Sequence, residues 1–178
     1  MEPVRMIYCM QCGTKLETKY LEGEGIVPYC PKCQDFRFPV FSTAVSMIVQ
    51  NCDGNIILIR QYGRPRFILV AGYVNRGEDA EDAVRREVME ELGMTVTDVH
   101  FNRSSFYKPS NTLMLNFSVR VAEKLPHPNR EVDSYEIFTD EEAKENIAEG
   151  SLAQKFLLWA LGGADLKKEK SDDVSDGK

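Results

Sequence analysis

Two groups of residues in this chain could do chemistry. The first is a run of carboxylates: Glu87, Glu90 and Glu91, preceded by Glu78 and flanked by Arg85 and Arg86. On a helix, positions i, i+3 and i+4 share one face, and like charges placed there repel. Such a cluster is either a solvated acidic face balanced by the two arginines or a site for a cation. Oxygen donors of this kind suit a hard ion, Mg²⁺ or Mn²⁺. Arg86 could hold neighbouring carboxylates through a bidentate bridge. The second group is Cys9, Cys12, Cys30 and Cys33, two CxxC pairs with seventeen residues between them. Four thiolates at this spacing can surround one Zn²⁺ tetrahedrally and leave no open position, so the ion would be structural. A redox dithiol pair is the alternative. The fifth cysteine, Cys52, lies in a turn and is read as an ordinary residue.

The elements that must position these groups can be read from pattern. Asp79 to Leu92 is expected to be a helix closed by Gly93, a residue suited to a left-handed C-terminal position. Val84 and Val88 should face the core. Ala80 and Ala83, near the glutamate face, would leave space for an ion and a ligand. Residues 40–50 and 54–62 read as strands joined by the turn Asn51-Cys52-Asp53-Gly54. Residues 66–74 are a further apolar strand, as are 97–107, 112–124 and 131–139. Residues 140–149 and 151–162 read as helices, with Asp140 and Ser151 as candidate N-caps. Strands around a central helix, with helices at the end, imply an α/β or α+β sandwich. Residues 1–37 should form a small module too short to hold itself together by a core, so that zinc would supply the missing folding energy. Residues 38–163 should be the main domain, and 164–178, nearly all charged or small, a disordered tail.

Composition narrows the function. The chain has 178 residues, 28 acidic against 22 basic, for a net charge of −6. That argues against broad electrostatic binding to nucleic acid or anionic membrane, although a bound cation could still recruit an anionic substrate. Its longest apolar run is far too short to span a bilayer. The opening residues, MEPVRMIYC, contain no apolar signal-like segment. The expectation is a cytoplasmic protein, where reduced thiols favour metal binding over disulfides.

The stretch from Gly72 to Met94 resembles the Nudix box, GX5EX7REUXEEXGU with U a bulky aliphatic residue. Gly72, Glu78, Arg86, Glu87, Glu90, Glu91 and Gly93 occupy the fixed positions, with Val88 and Met94 at aliphatic ones. The resemblance implies a Nudix α/β/α sandwich with a mixed sheet, preceded here by a zinc ribbon. It implies divalent-metal-dependent hydrolysis of a nucleoside diphosphate linked to another group. Glu87 and Glu91 would be metal ligands and Glu90 a ligand or the general base. Glu78 would support the loop or the metal shell, Arg86 would orient the glutamates, and the Ala71 carbonyl would be a backbone ligand.

A four-cysteine module directly before such a domain resembles the NADH pyrophosphatase subfamily. The segment AGYVNRGE is close to that group's AGFxExGE. The strand beginning at Glu131 places that residue at the group's distal metal-binding glutamate, and the segment from Gly150 to Leu161 places Ala153 at its substrate-contacting alanine. The group's SQPWPFPxSLM appears as Ser104 to Met114, with Tyr107 at the tryptophan position and Ser105-Phe106 in place of Gln-Pro. Phe106 and Tyr107 are candidates to stack on a nucleobase. The group's further N-terminal domain is expected to be absent. The substrate implied is a dinucleotide-like pyrophosphate, NADH, NAD⁺ or ADP-ribose, with AMP as one product. A homodimer is implied as well, and RNA is an open possibility as partner. The competing reading is a zinc-ribbon and Nudix module that binds a nucleotide or RNA without turnover.

Overall fold

The computed structural model describes residues 6–162. The predicted tail, 164–178, lies outside them. The N-terminal module is a three-stranded antiparallel sheet, β1 (Glu17–Leu21), β2 (Gly25–Cys30) and β3 (Asp35–Phe36). The main sheet holds β4 (Ser42–Gln50), β5 (Ile56–Gln61), β6 (Val70–Tyr73), β7 (Val96–Tyr107), β8 (Thr112–Val121) and β9 (Val132–Phe138). Its order is β7-β8-β4-β5-β9, with β6 also paired to β4. The β4–β8 pair is parallel and the other pairs are antiparallel, so the sheet is mixed.

Strand alternation sends the apolar residues of β4 and β5 to two faces. Val45, Met47, Val49, Ile57 and Ile59 pack with Ala83, Val84, Val88 and Leu92 of helix α1 (Ala80–Leu92). Ile48, Ile56 and Leu58 face the other way, onto Ala143 of α2 (Asp140–Asn146) and Phe156 and Leu157 of α3 (Leu152–Ala160). The result is a sheet covered by helices on both faces, the sandwich expected. Strands buried on both sides read as continuous apolar runs, which is why β4 and β5 are so plain in the sequence.

β4 changes partner along its length. Ala44 to Met47 pair with β6, and Val49 and Gln50 with β5. β5 and β6 therefore diverge beside it. The expected strand over 66–74 is accordingly shorter, with Ile68 bridging to Ile59 before β6 begins.

Helix α1 starts after Asp79, with Glu81 and Asp82 in its first turn, where carboxylates favour the helix dipole. It ends at Gly93, whose φ of 62° and N–H bond to the Met89 carbonyl make the left-handed cap expected. Ser151 caps α3 by accepting from the Gln154 N–H. The expectation for α2 needs correction: its N-cap is Thr139, not Asp140. Thr139 and Glu142 form a reciprocal capping box. A threonine three residues before a glutamate fits that motif better than an aspartate already inside the first turn. Ala80 and Ala83 also differ from expectation. Ala83 is fully buried and Ala80 packs against the same core, so these small side chains serve close packing of helix on sheet. No helix among the described residues is long and apolar enough to cross a membrane.

Candidate active site

Arg86 is the hub of the box. Its Nε and Nη2 donate to Glu78 Oε1 and Oε2 at 2.7 and 2.9 Å. Its Nη1 donates to Glu87 at 2.6 Å and to Glu90 at 3.1 Å, and Nη2 also reaches the Tyr73 carbonyl at 3.0 Å. One guanidinium thus ties the end of β6, the loop and the helix together. The Arg86 guanidinium, with help from the Asn75 N–H, holds the Glu78 carboxyl down at about 2.

Glu87 reaches its place because residue 72 has no side chain. A Cβ built on Gly72 would stand 1.9 Å from the Glu87 carboxyl carbon. That carboxylate is the tip of a flexible side chain, so it would move and the backbone would not. Gly72→Ala is therefore expected to shift the thermal midpoint by only a degree or two while lowering turnover at least tenfold; melting curves and initial rates on the same preparation check this.

Glu91 stands apart from the arginine. It is only 4% exposed, and among the described residues its Oε2 has no hydrogen-bond partner. Burial pushes its carboxyl up to about 7; the charges of Glu87, Glu131 and Glu90 add to this, while Gln61 opposes it. A buried, orphaned carboxylate oxygen among other carboxylates is the signature of a group waiting for a cation. Hard oxygen donors fit Mg²⁺ or Mn²⁺.

Glu131 is forty residues from Glu91 in sequence, and the C-terminus of α1 brings it near. The His127 N–H donates to the Leu92 carbonyl at 2.7 Å and the Asn129 N–H to the Glu91 carbonyl at 3.1 Å. The Asn129 side chain then accepts from the Glu131 N–H at 2.8 Å. The loop after β8 is thus docked on the orphan carbonyls of the helix end.

These groups open onto one cavity of about 630 Å³. Ala71, Arg86, Glu87, Glu91, Glu131 and Tyr107 all line it. Glu78 and Glu90 are linked to it through Arg86. Besides Glu78 and Glu90, three candidate substrate contacts are not among its lining residues. Phe106 packs edge-on against Phe41 with centroids 5.8 Å apart. Ser105 lies opposite Met114 on β8, and Ala153 packs against the second core cluster. Lining residues not anticipated include Tyr62, Arg64, Tyr73, Asn75, Ser110 and Thr112.

The second group of candidates also converges. The four thiols of Cys9, Cys12, Cys30 and Cys33 lie within 4.8 Å of one another, and among the described residues they are the one cluster this tight. Sγ–Sγ distances are 3.9 Å for Cys9–Cys33 and 3.5 Å for Cys12–Cys30. A tetrahedron with metal–sulfur bonds of about 2.3 Å has sulfur–sulfur edges of about 3.8 Å, so the quartet fits such an ion. The residues after each pair, Gly13 and Gln34, take φ of 71° and 55°, and the Cys33 N–H points to the Cys30 sulfur. Arg37 Nε donates to Cys9 Sγ at 3.3 Å. Burial works against the Cys9 thiolate, but Arg37 and nearby N–H groups draw it down to about 6. Hydrogen bonding to Cys12, together with burial, pushes Cys33 up to about 12. Cys52 is exposed and is not part of the quartet.

The NUDIX domain family profile matches residues 40–159. The chain belongs to the Nudix family. Among curated proteins, this Nudix chain is 32% identical over 115 residues to a protein of Pseudomonas aeruginosa named NAD-capped RNA hydrolase NudC, covering 62% of the chain and 39% of the relative. It is 30% identical over 166 residues to the NudC of Stutzerimonas stutzeri, covering 87% and 57%. The NAD-capped RNA hydrolase NUDT12 of Macaca fascicularis is 28% identical over 162 residues, with 86% and 35% covered. The chain thus spans about a third to somewhat over half the length of these relatives. A Nudix hydrolase structure from Nitrosomonas europaea is similar with a TM-score of 0.62 at 20% identity, covering 89% of this chain and 93% of that one. The Nudix domain of Shewanella oneidensis NrtR, solved with ADP ribose, gives 0.58 at 13% identity, covering 75% and 92%. Both likenesses concern the fold.

Proposed function

We propose that this protein is a pyrophosphohydrolase that cleaves a dinucleotide-like substrate, NADH, NAD⁺ or ADP-ribose, into AMP and a second monophosphate. The observation that carries the reading is Glu91, buried with an unpartnered oxygen at the wall of a cavity large enough for a nucleotide. The names of the curated relatives and the ADP-ribose bound in the NrtR domain support the substrate class.

Glu87, Glu91, Glu131 and the Ala71 carbonyl are the groups that would hold Mg²⁺ or Mn²⁺. When bound, the ion neutralises the diphosphate and lowers the pKa of a coordinated water. Glu90, exposed beside Arg86, would either complete the ligand set or take a proton from water. Arg86 keeps Glu87 and Glu90 oriented, and Glu78 anchors Arg86. Tyr107 offers a ring for stacking. Phe106, Ser105 and Ala153 do not line the cavity and have no role in this reading.

Zn²⁺ in the cysteine quartet is structural in this account, and the ribbon and Nudix domain meet near residue 38. A cytoplasmic location and a homodimer belong to the same reading. The Cys30→Ser protein is expected to lose about one equivalent of zinc by elemental analysis and to expose the ribbon to protease within minutes. Retention of zinc in that variant would contradict the ligand set.

The function is tested by incubating the protein and Mg²⁺ with NADH, NAD⁺, ADP-ribose, diadenosine polyphosphates and NAD-capped RNA, and identifying products by mass spectrometry. AMP release from a dinucleotide is expected. Tight binding in calorimetry without any product would instead support the binding module.

A further inference from the structure

The turn that follows β5 has no part in the box, yet it lines the same cavity. Tyr62 and Gly63 take φ of 58° and 66°. The Arg64 N–H closes the turn on the Gln61 carbonyl at 3.2 Å. Two successive left-handed residues are what a tight I′ hairpin turn requires, and such turns favour asparagine, aspartate or glycine at the first of them. A tyrosine there is strained, and strain of this kind collects at ligand sites. Its ring covers no core: Tyr62 is 73% exposed and still lines the cavity. The turn is fixed to the site's own frame. Gln61, its first residue, is buried near Glu91, and the Gly63 N–H donates to Asp133 Oδ2 at 2.7 Å, two residues beyond Glu131.

Charge singles out Arg64. The lining cations are Arg64 and Arg86. Arg86 is committed to Glu78, Glu87 and Glu90, whereas Arg64 has no ion pair among the described residues. Position separates Tyr62 from Tyr107. Tyr107 ends β7, and Tyr62 follows β5 at the same end of the sheet, with β8 and β4 between them. At about 4.8 Å per strand the two are roughly 14 Å apart or more, too far to sandwich one ring.

We propose that Tyr62 and Tyr107 receive the two flat rings of a single dinucleotide, one at each end of the diphosphate, and that Arg64 pairs with a substrate phosphate. This rests on the hydrolase reading above and adds two specificity-determining residues to it. The ligand class is a dinucleotide with a flat heterocycle on both sides of its diphosphate.

The test compares NADH, which has two rings, with ADP-ribose, which has one. Tyr62→Ala and Tyr107→Ala should each raise KM for NADH on the order of tenfold, with kcat changed less than threefold. For ADP-ribose only one of the two should do so. Tyr62→Phe should behave as wild type. Tyr62→Gly should lose affinity as Tyr62→Ala does while melting no lower than wild type, a combination that a structural role would not give. Arg64→Ala should raise KM for both substrates. An unchanged KM in Tyr62→Ala, or equal effects of both tyrosine variants on ADP-ribose, overturns the proposal. If wild type turns over neither substrate, the hydrolase reading fails by itself, and calorimetry with NAD⁺ and ADP-ribose on the same variants decides the ring assignment.

Discussion

Glu91→Gln is expected to lower turnover on the order of 10³-fold while making the metal-free protein more stable at pH 8. The two effects share one cause. Glu91 carries a carboxylate in a place that disfavours charge, and its pKa rises from an ordinary 4.5 to about 7. The folded state holds this proton more tightly than the unfolded state does. Stability from Glu91 is therefore fully present below pH 4.5 and is lost as pH rises through about 7. The loss above pH 7 approaches about 3 kcal/mol, because each tenfold difference in proton affinity between the folded and unfolded chain is worth about 1.4 kcal/mol. Glutamine keeps the shape and never ionises, so the variant should escape that loss. It also cannot supply the charge a divalent cation needs, and the several kcal/mol that cation contributes to the transition state vanish. Melting curves from pH 4 to 8 without divalent ions, beside initial rates with Mg²⁺, check both halves. An active Glu91→Gln protein would remove Glu91 from the mechanism.

Arg86 should show the opposite signature, with activity and stability falling together. Removing its guanidinium strands Glu78 and Glu87, whose side chains are 15% and 12% exposed, beside one another. Breaking a buried pair from one side leaves an uncompensated charge. Arg86 is itself a quarter exposed, so water softens the penalty, and Arg86→Ala is expected to cost about 2 kcal/mol in chemical denaturation. Turnover should drop about 100-fold because the glutamates lose their orientation. Arg86→Lys should recover little. A lysine ammonium can meet one carboxylate, but it cannot present the fork that spans Glu78 and still reaches Glu87, Glu90 and the Tyr73 carbonyl. Recovery of full activity by lysine would show that charge alone matters there.

How much of the fold and site is legible in the sequence differs by residue. Helix α1, its Gly93 cap and the Arg86 bridge follow from spacing, because helical periodicity fixes which side chains can meet. The cysteine quartet is legible for the same reason, since two CxxC knuckles leave few ways to arrange four sulfurs. Ala83 misleads because it shares a stripe with Glu87. The sequence does not say where along that stripe the core stops, and it stops between these two residues. The Thr139 cap is within reach of pattern, since Thr139 and Glu142 have capping-box spacing. Glu131 is reachable only by resemblance: its place depends on His127 and Asn129 docking on carbonyls of α1, a tertiary event with no local pattern. Tyr62 reads as the last residue of a strand. Nothing in its type announces a left-handed turn, and only the backbone shows that its ring has left the sheet and joined the cavity.

The central claim is that this carboxylate-lined cavity directs water to a pyrophosphate linkage. Hydrolysis of ADP-ribose and NADH with Mg²⁺ in ¹⁸O-labelled water tests it most directly. The account predicts two monophosphates from each substrate, with a single ¹⁸O on one phosphate of each product pair. Release of free nicotinamide or intact ADP, or no cleavage of either substrate, would contradict it.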